Sequence, residues 1–256
     1  GSPSVNVGGD VTVSAGTFDL TNSSGSPTLN IGGNFSQTGG TFTSSGSGLP
    51  TVAFTGGSSS SVTFSTSGGT FTNTNINWQI ASGKTVELNT AGSWVGSGRT
   101  MVVNGALQIN QGAYPGTAGT WTYGAAGTLI FNNSSGSYGV TSEVWWPTSS
   151  GPVNVTVAGA GGLTMNVART VSGIFQTAAG VTNANNLTLN GTAQINAGGY
   201  FNSSPTYGSS STLIYNVGAT YNISNEWVTG GTVGSGVPKN VTIQNSTAVA
   251  LPNSAG

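Results

Sequence analysis

The sequence contains no histidine and no cysteine, and only four Lys or Arg and five Asp or Glu among 256 residues. Each absence closes a class of function. Without cysteine there is neither a disulfide framework nor thiolate chemistry. Without cysteine or histidine, a zinc site lacks its usual ligands. General acid–base catalysis rests on histidine or on carboxylates with separated pKa values. The carboxylates here, Asp10, Asp19, Glu87, Glu143 and Glu226, are scattered along the chain. Calcium needs clustered oxygen ligands that include carboxylates. Gly8-Gly9-Asp10 is a fragment of a calcium-binding nonapeptide, but its repeat mate Gly32-Gly33-Asn34 has no acid, so both read as turns. A near-neutral chain has no basic field to draw in nucleic acid or an anionic membrane surface, and no apolar run is long enough to span a bilayer. These absences predict a non-enzymatic protein with no cofactor and no bound metal.

Strong helix formers such as Glu, Lys, Arg, Gln and Met are scarce, and no long segment spaces its apolar residues near 3.6. Gly, Ser, Thr and Asn dominate. Yet Val, Ile, Leu, Phe, Tyr and Trp recur at short intervals, which sets the chain apart from disordered sequences of similar polarity.

Those apolar residues repeat in a fixed order. Val5-Asn6-Val7-Gly8-Gly9 returns 24 residues later as Leu29-Asn30-Ile31-Gly32-Gly33, and Gly16-Thr17-Phe18 as Gly40-Thr41-Phe42. A longer repeat is superposed on this. Thr128-Leu129-Ile130-Phe131-Asn132 returns after 84 residues as Thr212-Leu213-Ile214-Tyr215-Asn216, with Thr51–Phe54 as a copy 77 residues earlier. Gln108-Ile109-Asn110 matches Gln194-Ile195-Asn196, Thr122-Tyr123-Gly124 matches Thr206-Tyr207-Gly208, and Asn154-Val155-Thr156-Val157 matches Asn240-Val241-Thr242-Ile243. Val-Asn-Val and Leu-Asn-Ile alternate as a strand with one buried face does, and Gly pairs supply the corners. A recurrence of this kind predicts a stacked array. The expected fold is all-β: a parallel, right-handed β-solenoid with coils of about 20–25 residues and no long helix. One continuous array would fill 1–256, with two short coils in 1–50, repeats in 51–127 and 128–211, and a partial repeat in 212–256. A stack of immunoglobulin-like sandwiches is the rival, and it would pair its strands antiparallel.

Thr128–Asn132, Asn154–Val157, Gly162–Asn166, Arg169–Gly173 and Leu187–Thr192 together resemble the tandem repeats of large secreted surface proteins of Bacteroidetes and related bacteria. The resemblance implies an adhesin-like, β-helical protein at the cell surface or outside the cell, often exported by the type IX route. The expected role is therefore structural: a head-to-tail filament subunit, or a stalk segment of a large adhesin.

Two sets of residues are candidates for contact with a partner. Glu143-Val144-Trp145-Trp146-Pro147 is echoed by Glu226-Trp227-Val228. Exposed Trp residues stack on sugars or anchor interfaces, so Trp145, Trp146, Trp227, Glu143 and Glu226 are candidates for contact with a surface glycan or protein. The bland alternative is that these Trp cover an apolar face under a long loop. The second set is the ends. Val5, Val7, Val11 and Val13 lie in core-type strands close to one terminus. Val241, Ile243, Val249 and Leu251 leave the other in mid-repeat, with the counterpart of Arg169–Gly173 missing. Uncapped strands of this kind template further strands, so the expected partner is another copy of the chain or adjoining repeats of a longer one. Thr41-Phe42-Thr43 and Thr70-Phe71-Thr72 admit a weaker ice-binding reading, which would need a regular outward Thr ladder.

Overall fold

A computed structural model describes residues 3–228, 230 and 232–251. Among them the regular structure is all β-strand, apart from a single 3-10 turn at Ala184–Asn186. The strands pair in parallel, and the antiparallel contacts are two isolated bridges, Thr206 with Ser235 and Gly234 with Val237. That pairing excludes a stack of hairpin-built sandwiches. No described helix is long and apolar enough to cross a membrane. Contacts gather the chain into two compact units, Gly1–Leu129 with Glu143–Pro152, and Ile130–Ser142 with Val153–Gly256.

In the first unit, six strands form one parallel sheet in the order Ser4–Val7, Thr28–Ile31, Thr51–Phe54, Asn77–Ile80, Thr100–Val103 and Thr120–Tyr123. A second sheet begins with Val11–Val13 and runs through Phe35–Thr43, Ser61–Phe71, Thr85–Leu88 and Ala106–Asn110, with Thr17–Asp19 also lying against Phe35–Thr43. The register follows the repeat read from the sequence: Asn6 faces Asn30 and Phe18 faces Phe42. Because neighbouring strands are in register, like positions form columns. Leu29, Val52, Trp78, Met101 and Trp121 stack as one buried column, and Ile31, Phe54, Ile80, Val103 and Tyr123 as another. Each side chain withdrawn from water in this way is worth about 1.5–3 kcal/mol.

Aromatic rings reinforce the columns. Phe35 lies over Phe64 at 5.2 Å and 12°, and it meets Phe42 edge-on at 4.9 Å. On the outer face the partners are amides: Asn30 donates to Asn6 at 2.7 Å and Asn110 to Asn89 at 2.7 Å. Corners also stack. Gly40 and Gly69 both adopt a left-handed φ, +63° and +79°, and a Cβ on Gly69 would strike the Gly40 carbonyl.

The second unit repeats the scheme with its own strands. Asn154–Val157, Ile174–Thr177, Thr192–Asn196, Thr212–Asn216 and Asn240–Ile243 follow one another in a sheet. Beside it stand Tyr138–Val140, Leu163–Met165, Gly180–Thr182 and Tyr200–Phe201, then Arg169–Val171, Leu187–Leu189 and Thr206–Tyr207. Thr220–Asn222 pairs with Ala248–Ala250. Val155, Phe175, Ala193, Leu213 and Val241 form its central inward column.

The spacing between paired residues is wider than the 20–25 expected. It runs from 18, where Arg169 faces Leu187, to 30, where Thr38 faces Gly68. Most of the surplus sits in the exposed corner 56–61, and one further residue is taken up by a register shift around Thr38. Insertions at such corners leave the strand columns intact. The rows of this sheet are mixed in type: Thr28, Thr51 and Asn77 in one, and Asn30 and Gln79 on either side of the buried Ala53 in the next. The row that carries the Thr41 and Thr70 motifs runs Thr17, Thr41 and Thr70, with Asp19 facing Thr43 in the row beside it.

Phe35 has no exposed surface and touches one ring on its own strand, Phe42, and one on the neighbouring strand, Phe64. Replacing it with Ala should destabilise the first unit by about 3–5 kcal/mol in urea unfolding. A loss below about 1 kcal/mol would show that the ring columns do not carry the core.

Candidate functional site: two clasped loops and a buried carboxyl

The aromatic candidates lie on loops, each held from below by a tyrosine. In the first unit Tyr123 ends the strand Thr120–Tyr123 and points inward. Its hydroxyl donates to the Trp145 carbonyl at 2.7 Å, and its N–H donates to the Ser150 carbonyl at 2.9 Å. In the second unit Tyr207 does the same, its hydroxyl donating to the Glu226 carbonyl at 2.7 Å and its N–H to the Gly234 carbonyl at 2.9 Å. Burial pushes both phenols well above their ordinary range, so they remain neutral donors.

The clasp corrects the alignment read from the sequence. It matches Trp145 to Glu226 and so Trp146 to Trp227, whereas matching Glu143 to Glu226 placed the two loops two residues out of step. It also leaves no sugar platform at the first loop and matches the alternative in which these Trp cover an apolar face, because Trp145 is 0 % and Trp146 1 % exposed. Trp145 meets the edge of Tyr114 at 6.4 Å. Trp227 and Glu143 are half-buried. The two Trp faces serve packing, and no stacking surface is built from them.

Glu226 replaces a Trp in the second loop and is fully buried. Its carboxylate accepts from the Ser224 N–H at 3.1 and 3.2 Å and from the Tyr215 hydroxyl at 3.2 Å. The Tyr221 hydroxyl also bonds to it. Burial raises the Glu226 pKa above 4.5, while these hydrogen bonds pull the other way. The charge of Glu226 adds to burial in pushing the Tyr215 phenol far up. A carboxyl with no surface cannot touch a substrate. What it can do here is fix the loop by gathering phenol and amide donors.

Two buried cations play a similar part, and sequence reasoning missed both roles. Lys84 donates to the carbonyls of Gly32, at 2.9 Å, and Ser59. Arg169 donates to the carbonyls of Ala168 at 2.8 Å and Thr141 at 3.2 Å. In a chain with so few charges, a lysine directly after the corner glycine Gly83 is the one signal that could have revealed the first. Among the described residues no three His, Cys, Asp or Glu come together as a metal site would require.

The candidate stacking residues divide by face. Ser4–Val7 and Val11–Val13 end their sheets in the first unit, and Asn240–Ile243 and Ala248–Ala250 end theirs in the second. Val5 is 57 % exposed, Ile243 52 % and Leu251 69 %. Val7, Val241 and Val249 are half-buried. Val11 and Val13 point into the core and are buried, so only the backbone edge of their strand is available.

No protein-family model, curated protein or solved structure matches this chain. Its function must be argued from its own geometry.

The Glu226 carboxyl gives a pH-dependent prediction. Its folded pKa lies above the unfolded value, so the folded state binds the proton more tightly. Its contribution to stability is complete below the unfolded pKa and is lost as pH rises through the folded one. Glu226→Gln keeps the acceptor and removes the charge. It should be more stable than wild type by on the order of 1 kcal/mol at about pH 8, with the gap closing towards about pH 4. Thermal melts across that range measure it, and a gap independent of pH would reject the assignment.

Proposed function

We propose that the chain is a non-enzymatic structural segment that extends end to end by adding parallel strands. In this reading each unit is a stretch of right-handed β-solenoid, and the repeats in the sequence support reading the two as one array. The observation that carries the proposal is the pair of open terminal layers. The strands Ser4–Val7 and Asn240–Ile243 are each paired along one edge among the described residues, with Val5 and Ile243 exposed beside them. An unpaired edge with apolar neighbours is a template for another strand. Addition in the same register would bury Val5 and Ile243 and satisfy the backbone groups of both layers.

The occupant of each edge is the facing end of a second copy, or the adjoining repeats where the segment belongs to a longer chain. The first arrangement is heterologous and does not close, so it grows as a filament. The second makes a stalk. The repeat resemblance and the near-neutral composition support a secreted or cell-surface location and an adhesin-like setting.

Light scattering and negative-stain microscopy over a concentration series test the filament arm. The wild-type chain should form rods that lengthen with concentration, and Val5→Lys with Ile243→Lys, which places charges on both edges, should hold it monomeric. A uniform monomer at every concentration would reject self-assembly and leave the stalk.

A further inference from the structure

The first unit contains a half-open cleft of about 350 Å³, within the range of small-ligand clefts, roughly 300–1,000 Å³. It exists because a strand stops short. Ser61–Phe71 is a long strand, but the next one, Thr85–Leu88, pairs only with Ser61–Phe64 and leaves the second half uncovered. Along that half runs an aromatic stack: Phe18 lies on Phe42 at 5.6 Å, and Phe42 lies on Phe71 at 5.8 Å and 8°. The chain that follows stacks no ring on Phe71; its Trp94 stacks on Phe64 instead, at 4.4 Å and 20°. Phe71, half-buried, lines the cleft at the point where the stack ends.

The cleft is braced open at both ends. The Thr90 hydroxyl bridges to the next coil, accepting from the Thr66 N–H at 2.9 Å and donating to the Thr66 carbonyl at 3.3 Å. The Asn73 amide donates to the Ser93 carbonyl at 2.7 Å. Between these braces the wall is apolar, formed by Phe64, Phe71, Leu88 and Trp94. The Trp94 indole N–H is buried with no acceptor. The rim bears hydroxyls and an amide, and no lining residue is charged.

We propose that this cleft binds a neutral sugar ring, stacked by its C–H face on Phe71. A pyranose has one apolar face and a belt of hydroxyls at its edge, which matches a flat ring set among Thr66, Asn73 and Ser93. A protein aromatic side chain would also stack on Phe71 but would leave the polar rim unanswered. The absence of lining charge argues against a uronic acid or a phosphorylated sugar. This site is separate from the Trp145 and Trp227 loops and does not depend on end-to-end assembly.

Saturation-transfer NMR and titration of the full chain with methyl β-glucoside, methyl β-galactoside and N-acetylglucosamine test the proposal, with tyrosinamide as the aromatic comparison. At least one sugar should bind saturably. Phe71→Leu, which keeps the apolar bulk but removes the flat face, should weaken binding about three- to tenfold with an unchanged circular dichroism spectrum and melt. Should that variant fail to fold, Thr66→Val serves instead, since Thr90 contacts only the Thr66 backbone; it should weaken binding in the same direction. Three results would overturn the proposal: no saturation by any of the sugars, equal sugar affinity in wild type and variant, or binding of tyrosinamide alone. The last would assign the cleft to a protein partner.

Discussion

In a parallel, in-register pair of strands every side chain stands beside its counterpart about 4.8 Å away, and the next layer repeats the demand. The composition of this protein follows from that constraint. Like charges directly opposite destabilise a strand pair, and a column of one charge would do so at every step. The few charged residues accordingly face neutral ones: Glu87 lies between Thr63 and Gln108, Asp19 faces Thr43, and Arg169 faces Leu187. Amides tolerate stacking because each can donate to the one below, as Asn30 does to Asn6 and Asn216 to Asn196. Near-neutrality is thus a requirement of the stack before it is a property of the surface.

Much of the fold was legible for the same reason. The shift of 24 that aligns Val5-Asn6-Val7 with Leu29-Asn30-Ile31 in the sequence is the register of the two strands. Of the Asn residues singled out by the repeats, Asn6, Asn30, Asn110 and Asn196 take part in side-chain ladders, whereas Asn154 accepts from the Ile174 N–H and Asn240 donates to the Ser211 carbonyl. The spacing between paired strands was less legible, because corners are exposed and accept extra residues. The Thr51–Phe54 copy was misleading. It pairs with Thr28–Ile31 and Asn77–Ile80 in the six-stranded sheet, whereas Thr212–Asn216 follows Thr192–Asn196 in a different row. Inward alternation looks alike on every wall, so a short apolar word does not say which wall it belongs to.

The site was harder to read than the fold. The two Glu-Trp loops invited alignment by their glutamates, but the tyrosine beneath each loop fixes a backbone carbonyl whatever side chain that residue bears. Trp145 and Trp146 fill the space that a long loop leaves over the core, so their size made them conspicuous and their burial made them unavailable. The cleft beside Phe71 had no sequence signature at all, since it arises from the early end of Thr85–Leu88 and not from any residue within it. Departures from the stack, such as the buried Glu226, the buried Lys84 and the interrupted Phe71 column, are visible only once the columns are known.

In-register parallel stacking is the claim on which all of this depends, and the absence of native cysteine makes it directly measurable. Thr100 and Thr120 are exposed and face each other on adjacent parallel strands, and neighbouring strands hold such Cα atoms within the span of a disulfide, about 4.4–6.8 Å. The double variant Thr100→Cys with Thr120→Cys should close to a disulfide under mild oxidation. Thr100→Cys with Thr122→Cys, two residues out of register on the same face, should remain reduced. Thr170→Cys with Thr188→Cys makes the same test in the second unit. Free thiols in the in-register pairs, or equally fast closure of the offset pair, would contradict the stacking and with it the account of the fold.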